Sequence, residues 1–312
     1  MTKILVTGAA GNIGSALVDR LLTFKDYEII GMDNFLTGVQ SKLPQARYSN
    51  FSFIKADANS YNEMSAIMQA YRFDFVFHYA AVVGVKRTLD NPVLVLNDIQ
   101  GIKNILDLSK NTGVQRVFFS SSSEVYGEPV EFPQNENTTP LNSRLPYAVV
   151  KNVGESFLRS YHKEYGLNFT IFRFFNTYGP QQSEDFVITR FLKQALAGTD
   201  ITVYGDGSQS RTFCYVDDNI DTTLKCLQEG HCLNDVMNVG SSEEISVLAL
   251  AEKIVKATEA ASKIKFLPAL QEGDMTRRKP DNSKMIDILK RPLLSLDEGI
   301  EKTLSSKLFT RK

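Results

Sequence analysis

Through its first half the chain repeats one pattern, a short apolar run followed by a polar turn and a stretch with apolar positions every three to four residues. Runs at 3–6, 28–32, 52–55, 74–78, 116–120 and 169–174 read as strands, and the periodic stretches at 13–24, 61–71, 93–112 and 148–165 read as helices. This rhythm predicts an α/β fold with a Rossmann-type, doubly wound parallel sheet. Beyond residue 174 the pattern loosens into turns such as Gly179-Pro180 and Gly205-Asp206-Gly207, which predicts a smaller α/β substrate-binding cap. We expect the dinucleotide-binding part to comprise 1–174 plus about 212–235, and the cap to comprise about 175–211 plus 236–312. No repeat, low-complexity tract or linker separates them, so the two should interlock.

In such a sheet ligands lie outside the carboxyl ends of the strands. The residues that end the strands are Asp33, Asp57, His78 to Ala81, and Ser120 to Glu124. The first strand, Lys3-Ile4-Leu5-Val6, runs into Thr7-Gly8-Ala9-Ala10-Gly11-Asn12-Ile13-Gly14 and then a helical stretch. Gly8 permits the tight turn, Gly11 lets backbone approach a pyrophosphate, and Gly14 lets the helix pack on the strand, with the free N–H groups of the helix start facing the anion. Asp33 ends the second strand about twenty residues on, where a carboxylate bonds the adenosine ribose and repels a 2′-phosphate. The cofactor is therefore read as NAD, with Lys42 and Arg47 beyond Asp33 leaving NADP as the alternative.

Composition narrows the class further. The 312 residues carry a net charge of -1, so no broad basic field invites nucleic acid. The three cysteines, Cys214, Cys226 and Cys232, include no C-x-x-C, which suits a reducing cytosol. Cys226 falls on the apolar stripe of a helix and no second ligand pair accompanies His231 and Cys232, so no metal is expected. No apolar run approaches ~20 residues, so no membrane span is expected and a cytoplasmic location follows.

Tyr147 and Lys151 are four apart at the start of a helix and share one face. An ammonium beside a phenol favours phenolate, which would make Tyr147 a general base near neutral pH. Ser120-Ser121-Ser122-Ser123-Glu124 brings hydroxyls and a carboxylate to the same pocket. Together with the glycine pattern, Asp33, His78-Tyr79-Ala80-Ala81 and Arg173-Phe174-Phe175-Asn176-Thr177-Tyr178-Gly179-Pro180, these segments resemble the extended short-chain dehydrogenase/reductase family. Within it, the chain is similar to the NAD-dependent nucleotide-sugar epimerases, dehydratases and decarboxylases. The likeness runs from residue 3 to about 300 and includes Tyr204 to Phe213 and Asp274 to Asp281.

The resemblance implies roles position by position. Tyr147 would take the proton of the sugar C4 hydroxyl as hydride moves to NAD, Ser122 would bond that oxygen, and Lys151 would tune Tyr147 and bond the nicotinamide ribose. Ser123 and Glu124 complete the catalytic set. Cofactor contacts are expected from Gly8, Gly11, Asn12, Ile13, Gly14, Asp33, Asn34, Asp57, Ala58, Ala80, Ala81, Asn97 and Ser120 as well as Tyr147 and Lys151. Substrate contacts are expected from Arg144, Asn176, Arg190, Tyr204, Arg211 and Arg278, with Arg211 and Arg278 clamping the diphosphate.

A 4-keto group acidifies C5 and makes a C6 carboxylate prone to leave as carbon dioxide, so one intermediate serves several net reactions. Ser123 stands where dTDP-glucose dehydratases carry the Asp of an acid-base pair, which weakens that reading. Ser122-Ser123-Glu124 is similar to the Thr-Ser-Glu of UDP-glucuronate decarboxylases and GDP-mannose dehydratases, and both groups share Arg144. Arg278-Lys279-Pro280 is similar to the decarboxylases, while Tyr147 to Lys151 and Phe186 to Arg190 lean toward the GDP-sugar enzymes. Decarboxylation or dehydration is expected after C4 oxidation, with 4-epimerisation and release of the 4-keto sugar as alternatives. An NAD-binding sensor without catalysis would need no Tyr147, Lys151 and Ser122. Helices 93–112 and 148–165 hold apolar positions beyond one sheet face, among them Leu94, Leu96, Ile99, Ile102 and Leu106. These predict a homodimer through a four-helix bundle, which the resemblance also implies.

Overall fold

The computed structural model describes residues 1–128, 130–269 and 277–309. Its strands are β1 (Thr2–Thr7), β2 (Tyr27–Asp33), β3 (Phe51–Lys55), β4 (Phe75–His78), β5 (Arg116–Ser122), β6 (Asn168–Phe174), β7 (Thr177–Tyr178), β8 (Ile201–Tyr204), β9 (Ser210–Thr212), β10 (Cys214–Tyr215), β11 (Asp235–Val239), β12 (Glu244–Ser246) and β13 (Ile264–Leu267). The helices are α1 (Asn12–Leu21), α2 (Tyr61–Tyr71), α3 (Val85–Asp90), α4 (Pro92–Leu96), α5 (Asp98–Thr112), α6 (Pro146–Tyr165), α7 (Val187–Leu196), α8 (Val216–Gln228), α9 (Val247–Thr258), α10 (Ser283–Leu289) and α11 (Leu296–Leu304).

Seven strands form one sheet in the order β11-β6-β5-β4-β1-β2-β3, and every neighbouring pair is parallel. The order reverses between β1 and β4, which opens a crevice at their carboxyl ends. Alternate strand residues feed two cores: Ile4, Val6, Phe77, Phe118 and Phe172 pack on one face, and Leu5, Val76, Val117, Phe119 and Ile171 on the other. Three two-stranded pieces, β7 with β10, β8 with β13 and β9 with β12, belong to the less regular second half.

Local signals set the helix ends. Ser60 accepts the Glu63 N–H at the start of α2, Pro146 opens α6, and Gly113 and Gly166 end α5 and α6 in the left-handed conformation. Two expectations are corrected. The helix foreseen over 93–112 is interrupted at Asn97, dividing α4 from α5, where Asp98 turns its carboxylate inward to accept the Val82 N–H at 2.7 Å. The segment expected to rejoin the sheet over about 212–235 runs further, because β11 pairs with β6 through Val239.

Among the described residues no helix is long and apolar enough to cross a membrane. The Cys226 to Cys232 segment is instead bolted to the sheet by the buried Arg116, which donates to the Cys226 and His231 carbonyls and to Thr170.

Candidate active site

The crevice at the switch point widens into a cleft of about 620 Å³. Its floor is the glycine loop. Gly8 has φ of +72°, and a Cβ there would lie 2.7 Å from the Ala80 nitrogen; a Cβ on Gly14 would lie 2.1 Å from the Gly8 carbonyl oxygen. Both positions admit only glycine, and the close approach they permit brings the start of α1 onto the end of β1. Gly11 caps α1 without a side-chain hydrogen bond, so the first N–H groups of the helix remain open to an anion. The buried Asn12 Oδ1 at that turn has no hydrogen-bond partner among the described residues.

Asp33 lies at the carboxyl end of β2. Its Oδ2 accepts the Ala10 N–H at 3.0 Å and its Oδ1 accepts the Phe35 N–H at 2.8 Å, which ties the acid to the glycine loop. Burial lowers the pKa of Lys42, which lines the same end of the cleft, and Asp33 opposes that shift. Asn34, Asp57, Ala58, Ala80, Ala81, Asn97 and Ser120 also line the cleft, as do Gly11, Ile13 and Gly14. A glycine cradle, an uncapped helix start, an orphaned amide and an acid at the ribose position fit NAD.

The chemical corner stands where β5 ends against the start of α6. Tyr147, Lys151, Ser122, Ser123, Glu124, Asn176 and Arg278 all line it. Parallel pairing of β5 with β4 and β6 carries the serines out to the crevice, and Pro146 starts α6 so that Tyr147 and Lys151 face them. Ser122 is hydrogen-bonded to the Tyr147 phenol and also accepts the Glu124 N–H at 3.2 Å. Lys151 is 2% exposed and its Nζ lies 3.4 Å from the Ser120 hydroxyl, so burial lowers it to about 8, with Asp98 pulling the other way. His78, buried and close to that ammonium, is lowered to about 3 and stays neutral.

The charge arrangement departs from expectation in two ways. Burial, followed by the Glu124 carboxylate, pushes the Tyr147 phenol up, while Ser122 and Arg278 draw it down. The Lys151 ammonium sits 5.6 Å from the Tyr147 ring centroid and 3.4 Å from the Ser120 hydroxyl. Arg278, expected to clamp a diphosphate, is 5% exposed and holds Glu124 at 2.8 Å. The second Glu124 oxygen is buried and has no hydrogen-bond partner among the described residues.

Of the other expected substrate residues, Arg144, Arg190, Tyr204 and Arg211 are not part of this lining. Arg144 is exposed. Arg190 stacks on Tyr204 at 5.5 Å, and Arg211 sits on β9 with one nitrogen on the Ser210 carbonyl. Asn176 lines the cleft and donates to the Thr212 carbonyl at 2.9 Å from a backbone with φ of +27°. Asp274 lies outside the described residues. Sequence reasoning missed Asp98, Arg87 and Gln182, which also line the cleft. It also missed Glu155, buried one turn beyond Lys151; an acid four residues on from a catalytic-type lysine was the available signal.

With this geometry in hand, similarity to known proteins is informative. The profile of the NAD dependent epimerase/dehydratase family matches residues 4–240. UDP-glucuronic acid decarboxylase 3 of Arabidopsis thaliana is 34% identical over 307 residues, covering 96% of this chain and 86% of that protein. UDP-N-acetyl-alpha-D-glucosaminuronate decarboxylase of Bacillus cytotoxicus is 33% identical over 317 residues, covering 97% of this chain and 96% of that one. The UDP-glucose 4-epimerase of Thermotoga maritima, solved with UDP-glucose, superposes with a TM-score of 0.91 at 31% identity, covering 97% of each chain. The glycine cradle, Asp33 and the Tyr147, Lys151 and Ser122 corner are thus set in a chain that belongs to the NAD-dependent epimerase/dehydratase family of nucleotide-sugar enzymes and uses NAD.

Proposed function

We propose that the protein oxidises C4 of a UDP-linked hexuronate and that the resulting 4-keto acid loses its carboxyl group as carbon dioxide. Bound in the crevice, NAD would accept the C4 hydride and return it to C4 once the carboxyl group has left. Tyr147 takes the C4 hydroxyl proton, Ser122 bonds the same oxygen, and Lys151 holds a positive charge at the inner end of the pair. Once C4 is a ketone, the electrons of the C5–C6 bond can flow into it as carbon dioxide leaves, without a further acid or base, and the enolate that remains takes up a proton at C5.

The observation that carries decarboxylation over dehydration is the ion pair between Glu124 and Arg278 at 2.8 Å. Elimination needs a free acid and a free base beside C5 and C6, whereas Glu124 is held and Ser123 offers only a buried hydroxyl. Arg278 gives this wall a permanent planar cation, suited to a sugar carboxylate. The two decarboxylases reported above support the same reading. A second reading, 4-epimerisation, is favoured by the roomy cleft and by the likeness to the solved epimerase.

The test is incubation with UDP-, GDP- and dTDP-sugars, UDP-glucuronate among them, with product mass and proton couplings followed together. Loss of carbon dioxide supports the reading. Loss of water, or an unchanged mass with altered couplings, replaces it by dehydration or epimerisation.

In this reading residues 1–174 with the segment through β11 hold NAD, the rest forms the cap, and the protein works in the cytoplasm as a homodimer. Val93 and Leu96 on α4, 71% and 40% exposed, are the apolar positions that support association.

A further inference from the structure

Beneath the chemical corner lies a connected set of buried polar groups that the proposed steps do not use. Glu155 is 2% exposed and Arg173 is 2% exposed. Tyr147, Lys151 and Glu155 follow one another at four-residue intervals along α6, so the acid lies on the face that meets β5. Its Oε1 accepts the Ser121 hydroxyl at 2.6 Å and the Arg173 Nε–H at 2.9 Å, while Oε2 accepts from the other arm of the guanidinium at 2.7 Å.

The bonds continue. Arg173 donates to the Tyr126 hydroxyl at 2.8 Å, and Tyr126 donates to the Asn238 Oδ1 at 2.7 Å. Asn238 on β11 donates from its Nδ2 to the Gln134 carbonyl at 2.9 Å and the Asp281 carbonyl at 3.2 Å. The Gln134 N–H donates to the Lys279 carbonyl and the Asp281 N–H donates to the Gln134 carbonyl, each at 2.8 Å. These two bonds lie on either side of Pro280, directly after Arg278. Arg278 then returns to Glu124, which shares the Ser123–Tyr126 turn with Tyr126. The contacts therefore close on themselves, joining the helix of Tyr147, the strand of Ser122 and the segment of Arg278.

We infer that this buried ring is a positioning device that holds the Glu124 and Arg278 pair in register with Tyr147 and Ser122, and that it governs the fate of the 4-keto sugar rather than the rate of its formation. The inference rests on the C4-oxidation reading above. Tyr147, Lys151 and Ser122 are placed by α6 and β5 alone, so oxidation does not need the Tyr126 link. The backbone directly after Arg278 is pinned to Gln134, which Asn238 in turn holds, while Arg277 and Lys279 pair with Glu244 on either side of it. A break at Tyr126 or Asn238 removes the inner tie on that wall and leaves it held from the Glu244 side alone, while the oxidising set stays in place.

Two isosteric variants cut the ring at different points. Tyr126→Phe removes the hydroxyl, and Asn238→Asp keeps the acceptor for Tyr126 but loses the amide donors to Gln134 and Asp281. Each is mixed with UDP-glucuronate in a single turnover, and absorbance of the reduced nicotinamide and the released sugars are followed. The expected result is a burst of reduction close to wild type, with the share of turnovers ending as free 4-keto sugar raised ~10-fold or more, since a misplaced group of about 1 Å can cost two orders of magnitude. Ile254→Val in the cap core, chosen for a comparable loss of Tm, should leave the product share unchanged. NAD affinity by calorimetry checks that each variant is folded; if one is not, the other carries the test. An unchanged product share in the folded variants overturns this inference alone. If wild type shows no reduction with any nucleotide sugar, the oxidation reading fails and the inference falls with it.

Discussion

Lys151 is the residue where burial and chemistry conflict most directly. Its amine is lowered from 10.5 to about 8 because the side chain is enclosed, with the Asp98 carboxylate as the opposing influence. The folded protein therefore binds this proton less tightly than the unfolded chain does, and between about pH 8 and 10.5 the unfolded state holds more protons. Stability from this group must rise with pH across that window, and the burial cost is complete below it. A tenfold difference in proton affinity between the two states is worth about 1.4 kcal/mol, which is large enough to measure. Urea melts of wild type and Lys151→Met at about pH 7 and about pH 10 should show the variant's relative advantage shrinking at the higher pH, and a constant difference would contradict the assignment. For Tyr147, replacement by Phe keeps the ring and removes one hydroxyl. Reduced nicotinamide formation should fall ~10²- to 10⁴-fold while nucleotide-sugar affinity, measured by calorimetry, stays close to wild type. Unchanged turnover would send the C4 proton elsewhere.

At the scale of elements, the β1 to α1 turn shows why glycine was required. The Cβ of an alanine at position 14 would meet backbone atoms of Gly8 at 2.1 and 2.8 Å, and backbone cannot rotate away as a side chain would. Gly14→Ala should cost ~1–3 kcal/mol in denaturant melts, as overpacking does, and weaken NAD binding by displacing the helix start. Full retention of both would mean that α1 can move off β1 without consequence. The same scale explains what periodicity did not reveal. The pattern over 93–112 is continuous in sequence, yet α4 ends at Leu96 and α5 starts at Asp98, whose carboxylate accepts the Val82 N–H and a bond from Asn59 on the neighbouring turn. A helical pattern records which face is apolar; it does not record a polar side chain recruited from a distant loop.

At the scale of the whole molecule, the predicted dimer is the claim most altered by packing. Ile102 and Leu106, expected to face a partner, are 3% and 1% exposed within the protomer, and Leu94 and Ile99 pack against the same core. The surplus face is smaller than the sequence suggested and rests on Val93 and Leu96 of α4. Light scattering at micromolar concentration should give a dimer mass, and Val93→Glu with Leu96→Glu should give a folded monomer with a similar melting temperature. A wild-type monomer would remove the claim.

The alternating strands and helices, the glycine turn with Asp33, and the shared helix face of Tyr147 and Lys151 were legible in the chain because each rests on short-range chemistry: a period, a turn, a helix face. So was the cofactor crevice, since parallel strands bring their carboxyl ends to one edge wherever the order reverses. Only the tertiary structure decided which charges face each other. The pairing of Arg278 with Glu124 joins residues more than a hundred positions apart, and the ring through Glu155, Arg173, Tyr126 and Asn238 spans two strands, a helix and two loops. No local pattern specifies such contacts. The energy of a buried charge depends on what is brought against it, so the Tyr147 phenol rose where its neighbour in sequence predicted a fall.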